Sequence, residues 1–121
     1  MTYDEVKAMV LSFPETSEGA SYGMPAFKIA GKFFTRLRSE DDSLVLTGVT
    51  FDEREMLMEA EPQTFHLTDH YRGYPTVLAR IATLDPGTLR AFLERRWRAV
   101  APKKLVKQWD AERETQPSAP P

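Results

Sequence analysis

Leu89, Phe92, Leu93, Trp97 and Val100 recur at i, i+3, i+4, i+8 and i+11, behind an Asp85-Pro86 pair that supplies an N-cap and a helix-starting proline. A helix with one continuous apolar stripe has to lay that stripe on a second layer. The layer is visible upstream in "EGASYGMPAFKIAGKFFTRLRSEDDSLVLTG", residues 18–48, where apolar and polar residues alternate and Gly31 and the Glu40-Asp41-Asp42 cluster mark tight turns. Three or four antiparallel strands are expected there.

Two more helices flank this block. Thr2 with Glu5 makes a capping-box pattern ahead of Val6, Met9, Val10 and Phe13, so a helix is expected over 3–12, ended by Pro14. Thr50 with Glu53 repeats the pattern before an apolar stripe of Met56, Leu57 and Ala60, which predicts a helix over 51–60. Residues 64–67 and 76–83 read as further strands. Pro102 breaks the long helix and starts a short last one, "KKLVKQWDAER", with Leu105, Val106 and Trp109 inward. The fold class is therefore α+β: a two-layer single domain over residues 1–113, its antiparallel sheet covered by helices on one face, in the order helix, three or four strands, helix, two strands, helix, helix. Residues 114–121, "ETQPSAPP", are too poor in apolar side chains to pack and are expected to be a disordered tail.

Composition narrows the chemistry. The absence of cysteine removes disulfides, thiolate metal sites and cysteine nucleophiles. Asp4 and Glu5 stand where a secretory signal needs basic residues, and no apolar run is long enough to span a bilayer, so a cytoplasmic protein without membrane contact is expected. A net charge of −2 argues against a uniformly basic nucleic-acid binder, but the first 61 residues carry 12 acidic and 6 basic groups while the remaining 60 carry 6 and 10.

Between Gly19 and Ser39 the charged residues are Lys28, Lys32, Arg36 and Arg38, with no acid among them. Alternation along a strand sets Phe27 and Ile29 against Lys28, Leu37 against Arg36 and Arg38, and Val77 and Ala79 against Arg80, so the cations are expected on the open sheet face. Such a face resembles surfaces that follow phosphates and stack bases, although long cationic stems also serve as ordinary cover for a sheet. A second basic group, Arg90, Arg95, Arg96, Arg98, Lys103, Lys104 and Lys107, lies on the last two helices and fits the solvated side left by the apolar stripe.

The corner "DHYRGYPTVLARI", residues 69–81, concentrates His70, Tyr71, Arg72 and Tyr74 around Gly73 and Pro75. Gly73 and Pro75 read first as turn chemistry, with the rings anchoring the corner; the same groups can form a stacking rim at the sheet edge. The spacing of His66 and His70 would put two rings on one face of a helix, but the segment reads as strand and turn with no third strong ligand nearby. Adjacent Asp69 and His70 point in opposite directions on an extended chain, and no catalytic triad or phosphate-binding loop can be picked out. No cofactor is called for. A deep pocket beside His70 would point to a small ligand, and an apolar patch built from Phe34, Val45 and Leu78 would point to peptide capture.

"FPETSEGASYGMPAFKIAGKFFTRL", "DHYRGYPTVLARI" and "LRAFLERRWRAVAP" together resemble the MmcQ/YjbR-like family over nearly residues 1–110. The resemblance implies an α+β fold akin to frataxin and to type III secretion chaperones, and a double-wing DNA-binding role. It brings no catalytic residues. The reading that follows is a non-enzymatic, cofactor-free protein that binds DNA, or alternatively a protein or peptide, through Lys28, Lys32, Arg36, Arg38, His70, Tyr71, Arg72, Tyr74 and Arg80. A small-molecule binder or an enzyme is the third reading, and the oligomeric state stays open.

Overall fold

The computed structural model describes residues 1–21 and 24–115. Helix α1 spans Tyr3–Leu11, with Thr2 and Glu5 closing both halves of the capping box. Strands β1 (Thr16–Ser21), β2 (Met24–Ile29), β3 (Lys32–Arg38) and β4 (Ser43–Thr47) follow, then α2 (Phe51–Ala60), β5 (Phe65–His66), a short 3₁₀ turn at Asp69–Tyr71, and β6 (Thr76–Arg80). Helices α3 (Pro86–Val100) and α4 (Lys103–Thr115) end the described chain. All strand pairs are antiparallel, in the order β1-β2-β3-β4-β6-β5.

All four helices contribute to one core on one side of the sheet. Val6 and Val10 of α1, Leu89, Leu93 and Trp97 of α3, and Trp109 of α4 join Phe27, Ile29, Phe34, Leu44, Leu46, Val77 and Ala79. Each large side chain buried in this way stabilises the fold by about 1.5–3 kcal/mol. Trp109 stacks on Phe13 at 5.5 Å, and the Trp97 indole N–H donates to the Pro14 carbonyl at 2.9 Å, which ties the last two helices to the end of the first. On the other side of the sheet sits a small second cluster of Val45, Tyr71 and Leu78, flanked by Phe33 and Leu67.

Strict alternation fails at one place in β3, and the failure shapes the open face. Lys28 pairs with Phe33 but Phe27 pairs with Thr35, so Phe34 is an extra residue opposite β2, a β-bulge. Phe34 and Thr35 both turn to the helix side, where both are buried, while Phe33 goes to the other side. Without the bulge, Phe34, Arg36 and Arg38 would share one face; with it, Phe34 packs in the core and the two arginines face outward. The apolar patch expected from Phe34, Val45 and Leu78 is corrected accordingly: Phe33 stands where Phe34 was expected.

Other elements differ from expectation: the strands expected over 64–67 and 76–83 are shorter, at Phe65–His66 and Thr76–Arg80. The inward stripe of α2 is not Met56, Leu57 and Ala60: Met56 is 68% exposed, and the buried residue is Arg54, with Leu57 and Met58 beside it. Helix α4 runs through Glu114 to Thr115, so those two residues belong to it and not to a tail; residues 116–121 of the expected tail lie outside the described residues.

Candidate functional site

The bulge loosens the sheet between β3 and β4. Backbone pairing between them covers only Leu37 with Leu44 and Arg38 with Ser43; further along, the Thr35 hydroxyl donates to the Val45 carbonyl at 2.9 Å across the gap. A pocket of about 300 Å³ opens there on the uncovered face. Phe33 and Arg36 of β3, Val45 and Thr47 of β4 and Thr76 of β6 line it, and the corner supplies His70, Tyr71 and Tyr74. The Thr47 hydroxyl oxygen is buried and lacks a hydrogen-bond partner. Unpaired buried hydroxyls are uncommon, because leaving one costs about 1–3 kcal/mol.

The corner is folded around one side chain from α2. Arg54 is only 5% exposed; its Nη1 donates to the carbonyls of Tyr71 (3.4 Å), Tyr74 (2.8 Å) and Thr76 (3.2 Å), and its Nη2 to that of Arg72 (3.1 Å). No carboxylate pairs with it among the described residues, so four backbone dipoles and the face of Phe51, 4.7 Å away, hold the charge. Its guanidinium fork gathers the carbonyls of a corner that also closes on itself through backbone bonds from Tyr74 to Tyr71 and from Thr76 to Tyr74. The rings this loop carries are thereby fixed: His70 packs edge-on against Tyr71 at 4.7 Å and lies tilted to Tyr74 at 6.2 Å.

A model of the YjbR family matches residues 11–99. The chain belongs to the YjbR family. It is also similar, at 30% identity over 119 residues, to the uncharacterised proteins Mb2600 of Mycobacterium bovis and Rv2570 of Mycobacterium tuberculosis, covering 87% of this chain and 92% of each relative. No solved structure matches the chain significantly.

In this YjbR protein the cations expected on the open face meet different fates. Lys28, Arg36, Arg38 and Arg80 do project from that face, as their partners across the strands require. Lys32 does not: it pairs with Ile29, a core residue, and so lies on the helix side at the end of β3. Lys28 is exposed and borders a second hollow of about 420 Å³ lined by Ser17, Gly19, Ala20, Ala26 and Glu18, whose carboxylate pairs with Lys7, and sharing Phe33 with the pocket. Arg36 donates from Nη2 to the Tyr71 hydroxyl at 2.7 Å and has no carboxylate partner among the described residues. Arg38, by contrast, is held by Glu40 at 3.3 Å and Asp41 at 3.4 Å with its side chain 14% exposed. Burial opposes its charge, but Asp41 and Glu40 outweigh burial and keep its pKa above the ordinary arginine value. Arg72 pairs with Asp69 at 2.9 Å in full solvent, and Arg80 donates to the Gln63 carbonyl at 3.5 Å.

His66, Ser43 and Asp41 meet beside these arginines without forming a relay. The same ring nitrogen, Nε2, lies 2.8 Å from the Ser43 hydroxyl and 3.6 Å from Asp41, and Ser43 is fully buried. Burial and the nearby charges of Arg80 and Arg38 lower the His66 pKa against the opposing pull of Asp41, so the ring is neutral near pH 7 and its contact with Asp41 is not an ion pair there. His70 stays with the tyrosines, so the two histidines face different surroundings. On the last helices the basic group is partly spoken for: Arg95 makes a two-pronged pair with Glu53, Arg98 sits between Glu94 and Asp110, and Arg96 donates to the Phe33 carbonyl at the bulge.

Proposed function

We propose that the protein is a non-catalytic binding module of the cytoplasm that works through the open sheet face, and that its partner is nucleic acid held as an unpaired strand. No helix among the described residues is long and apolar enough to cross a membrane. The observation that carries the reading is Arg36: a guanidinium with most of its donors unused, set among Phe33, Tyr71, Tyr74 and His70 and joined through Phe33 to the hollow beside Lys28. Aromatic faces next to cations are how single strands are held, since bases stack regardless of sequence while phosphates pair with arginine or lysine. An intact duplex suits the face less well. It presents rigid rows of phosphates and stacked bases that cannot enter a pocket, and among the described residues of this face only Lys28, Arg36 and Arg80 remain without a carboxylate to meet those rows.

Fluorescence anisotropy with a labelled oligothymidylate and with a duplex of equal length, each over a range of salt, tests this. Oligothymidylate is expected to bind more tightly than duplex, with a log-log salt slope of about −0.7 for each neutralised phosphate. Arg36→Gln and Lys28→Gln are each expected to make that slope shallower. Absence of binding at low salt, or duplex binding that both substitutions leave unchanged, contradicts the reading.

A further inference from the structure

We propose that the pocket between β3 and β4 is a self-sufficient site for a small planar aromatic acid, a ring bearing one carboxylate or phosphate group that pairs with Arg36. This goes beyond nucleic-acid contact, because the site then takes a free small molecule with no polymer attached.

Size, lining and charge converge on that class. A pocket of about 300 Å³ lies at the lower end of the range for small-ligand sites and has ample room for one substituted ring. Its lining is mostly apolar and aromatic, with Phe33 and Val45 on the sheet and Tyr71 and Tyr74 on the corner, so a flat apolar body is favoured over a hydrated one. No acidic side chain lines it, while Arg36 offers guanidinium donors of which one is engaged, by a neutral phenol. A single uncommitted guanidinium is matched by a single carboxylate or phosphate, which it can meet through two parallel N–H bonds. Arg38 adds positive potential from behind Tyr71, its cationic centre lying 5.8 Å from that ring, but its own donors face Glu40 and Asp41.

The walls are also fixed in advance. Arg54 holds the carbonyls of Tyr71, Arg72, Tyr74 and Thr76, so the rings need not be ordered by the ligand.

Amide-resolved NMR titration of the full chain with benzoate, phenyl phosphate, benzamide and benzylamine tests the proposal. Benzoate or phenyl phosphate is expected to bind saturably with a dissociation constant of about 1 mM or tighter, at least tenfold more tightly than benzamide, with benzylamine excluded. Arg36→Gln should reduce the benzoate-to-benzamide preference to near unity in a variant whose amide spectrum shows the fold intact, and Arg36→Lys should restore part of it. A carboxylate source and a phosphate source are distinguished by which of benzoate and phenyl phosphate binds more tightly. No saturation at about 10 mM, or equal binding of benzoate and benzamide, overturns the proposal even where oligothymidylate binds the same face. Benzoate binding without oligothymidylate binding leaves this site standing and removes the nucleic-acid reading.

Discussion

Arg36 and Arg38 leave the same face of the same strand two residues apart, yet one lies open in an aromatic pocket and the other is closed into an acidic turn. The difference is made by neighbours and not by the arginines. Toward the hairpin end, the Glu40-Asp41-Asp42 turn folds back over β3 and supplies two carboxylates. Toward the bulge, β3 and β4 part, and the space between them is walled by a corner that contributes rings and carbonyls but no acid. One strand thus presents a structural cation and an available one, and counting basic residues on a face does not measure what that face can bind.

The largest expected effect tests the bulge that creates this contrast. Phe34→Ala should destabilise the fold by about 3–5 kcal/mol, because Phe34 is buried in the main core, while Phe33→Ala should cost about 1 kcal/mol and weaken binding at the open face. Chemical denaturation of the two variants compares them. Equal losses, or the reverse order, would mean that the two side chains do not divide between the faces.

Next comes the buried guanidinium that holds the pocket wall. Arg54→Met keeps the length of the side chain and removes its donors from the carbonyls of Tyr71, Arg72, Tyr74 and Thr76, of which Tyr71 and Tyr74 keep a backbone N–H partner, and should cost about 3 kcal/mol. Denaturant midpoints check the cost. A change below about 1 kcal/mol would show that the corner holds its shape without Arg54.

Releasing Arg38 sharpens the comparison from the other side. The double substitution Glu40→Gln with Asp41→Asn should alter stability by no more than about 1 kcal/mol and should steepen the salt slope for oligothymidylate by about 0.7, as a second arginine becomes free to meet phosphate. An unchanged slope in anisotropy titrations would mean that the acidic turn is not what withholds Arg38.

The smallest effect is a pH dependence at His66. Folding lowers its pKa below the ordinary 6.5, so as pH falls through that value the unfolded chain takes up the proton first. Its contribution to stability is full above about pH 6.5 and declines as pH falls toward the lower folded value. His66→Gln should flatten that part of the stability curve, measured by denaturation midpoints between neutral and mildly acid pH. An equally steep decline in the variant would place the dependence elsewhere.

Much of the architecture was legible because it rests on local signals. The capping threonines, the Asp85-Pro86 start and the stripe from Leu89 to Val100 mark helix ends and faces without help from distant residues, and α2 begins and ends where its pattern says. The candidate site was legible only in part. His70, Tyr71, Tyr74 and Arg36 stand out by type and do come together, but the bulge at Phe34 shifts the strand by one residue, a change that pattern alone does not reveal. Arg54 left no signal, since an arginine in an acidic helix reads as solvated; its burial depends on carbonyls some twenty residues further along. Arg38 was misread in the opposite sense. The acidic cluster that neutralises it had been assigned to the turn alone, although a residue four or fewer positions from a hairpin can be reached by that hairpin's side chains. Lys32 lies on the helix side and not on the open face, because the bulge at Phe34 inverts the alternation between it and the arginines.

The central claim is that binding is located at the uncovered sheet face, centred on Arg36. Amide-resolved NMR during titration with oligothymidylate tests it most directly. The account predicts that the largest perturbations fall at Phe33, Arg36, Val45, Thr47, Tyr71 and Tyr74, with Lys28 next and α3 and α4 nearly unmoved. Perturbations concentrated at Arg90, Lys103, Lys104 and Lys107, with the β3–β4 pocket silent, would contradict it.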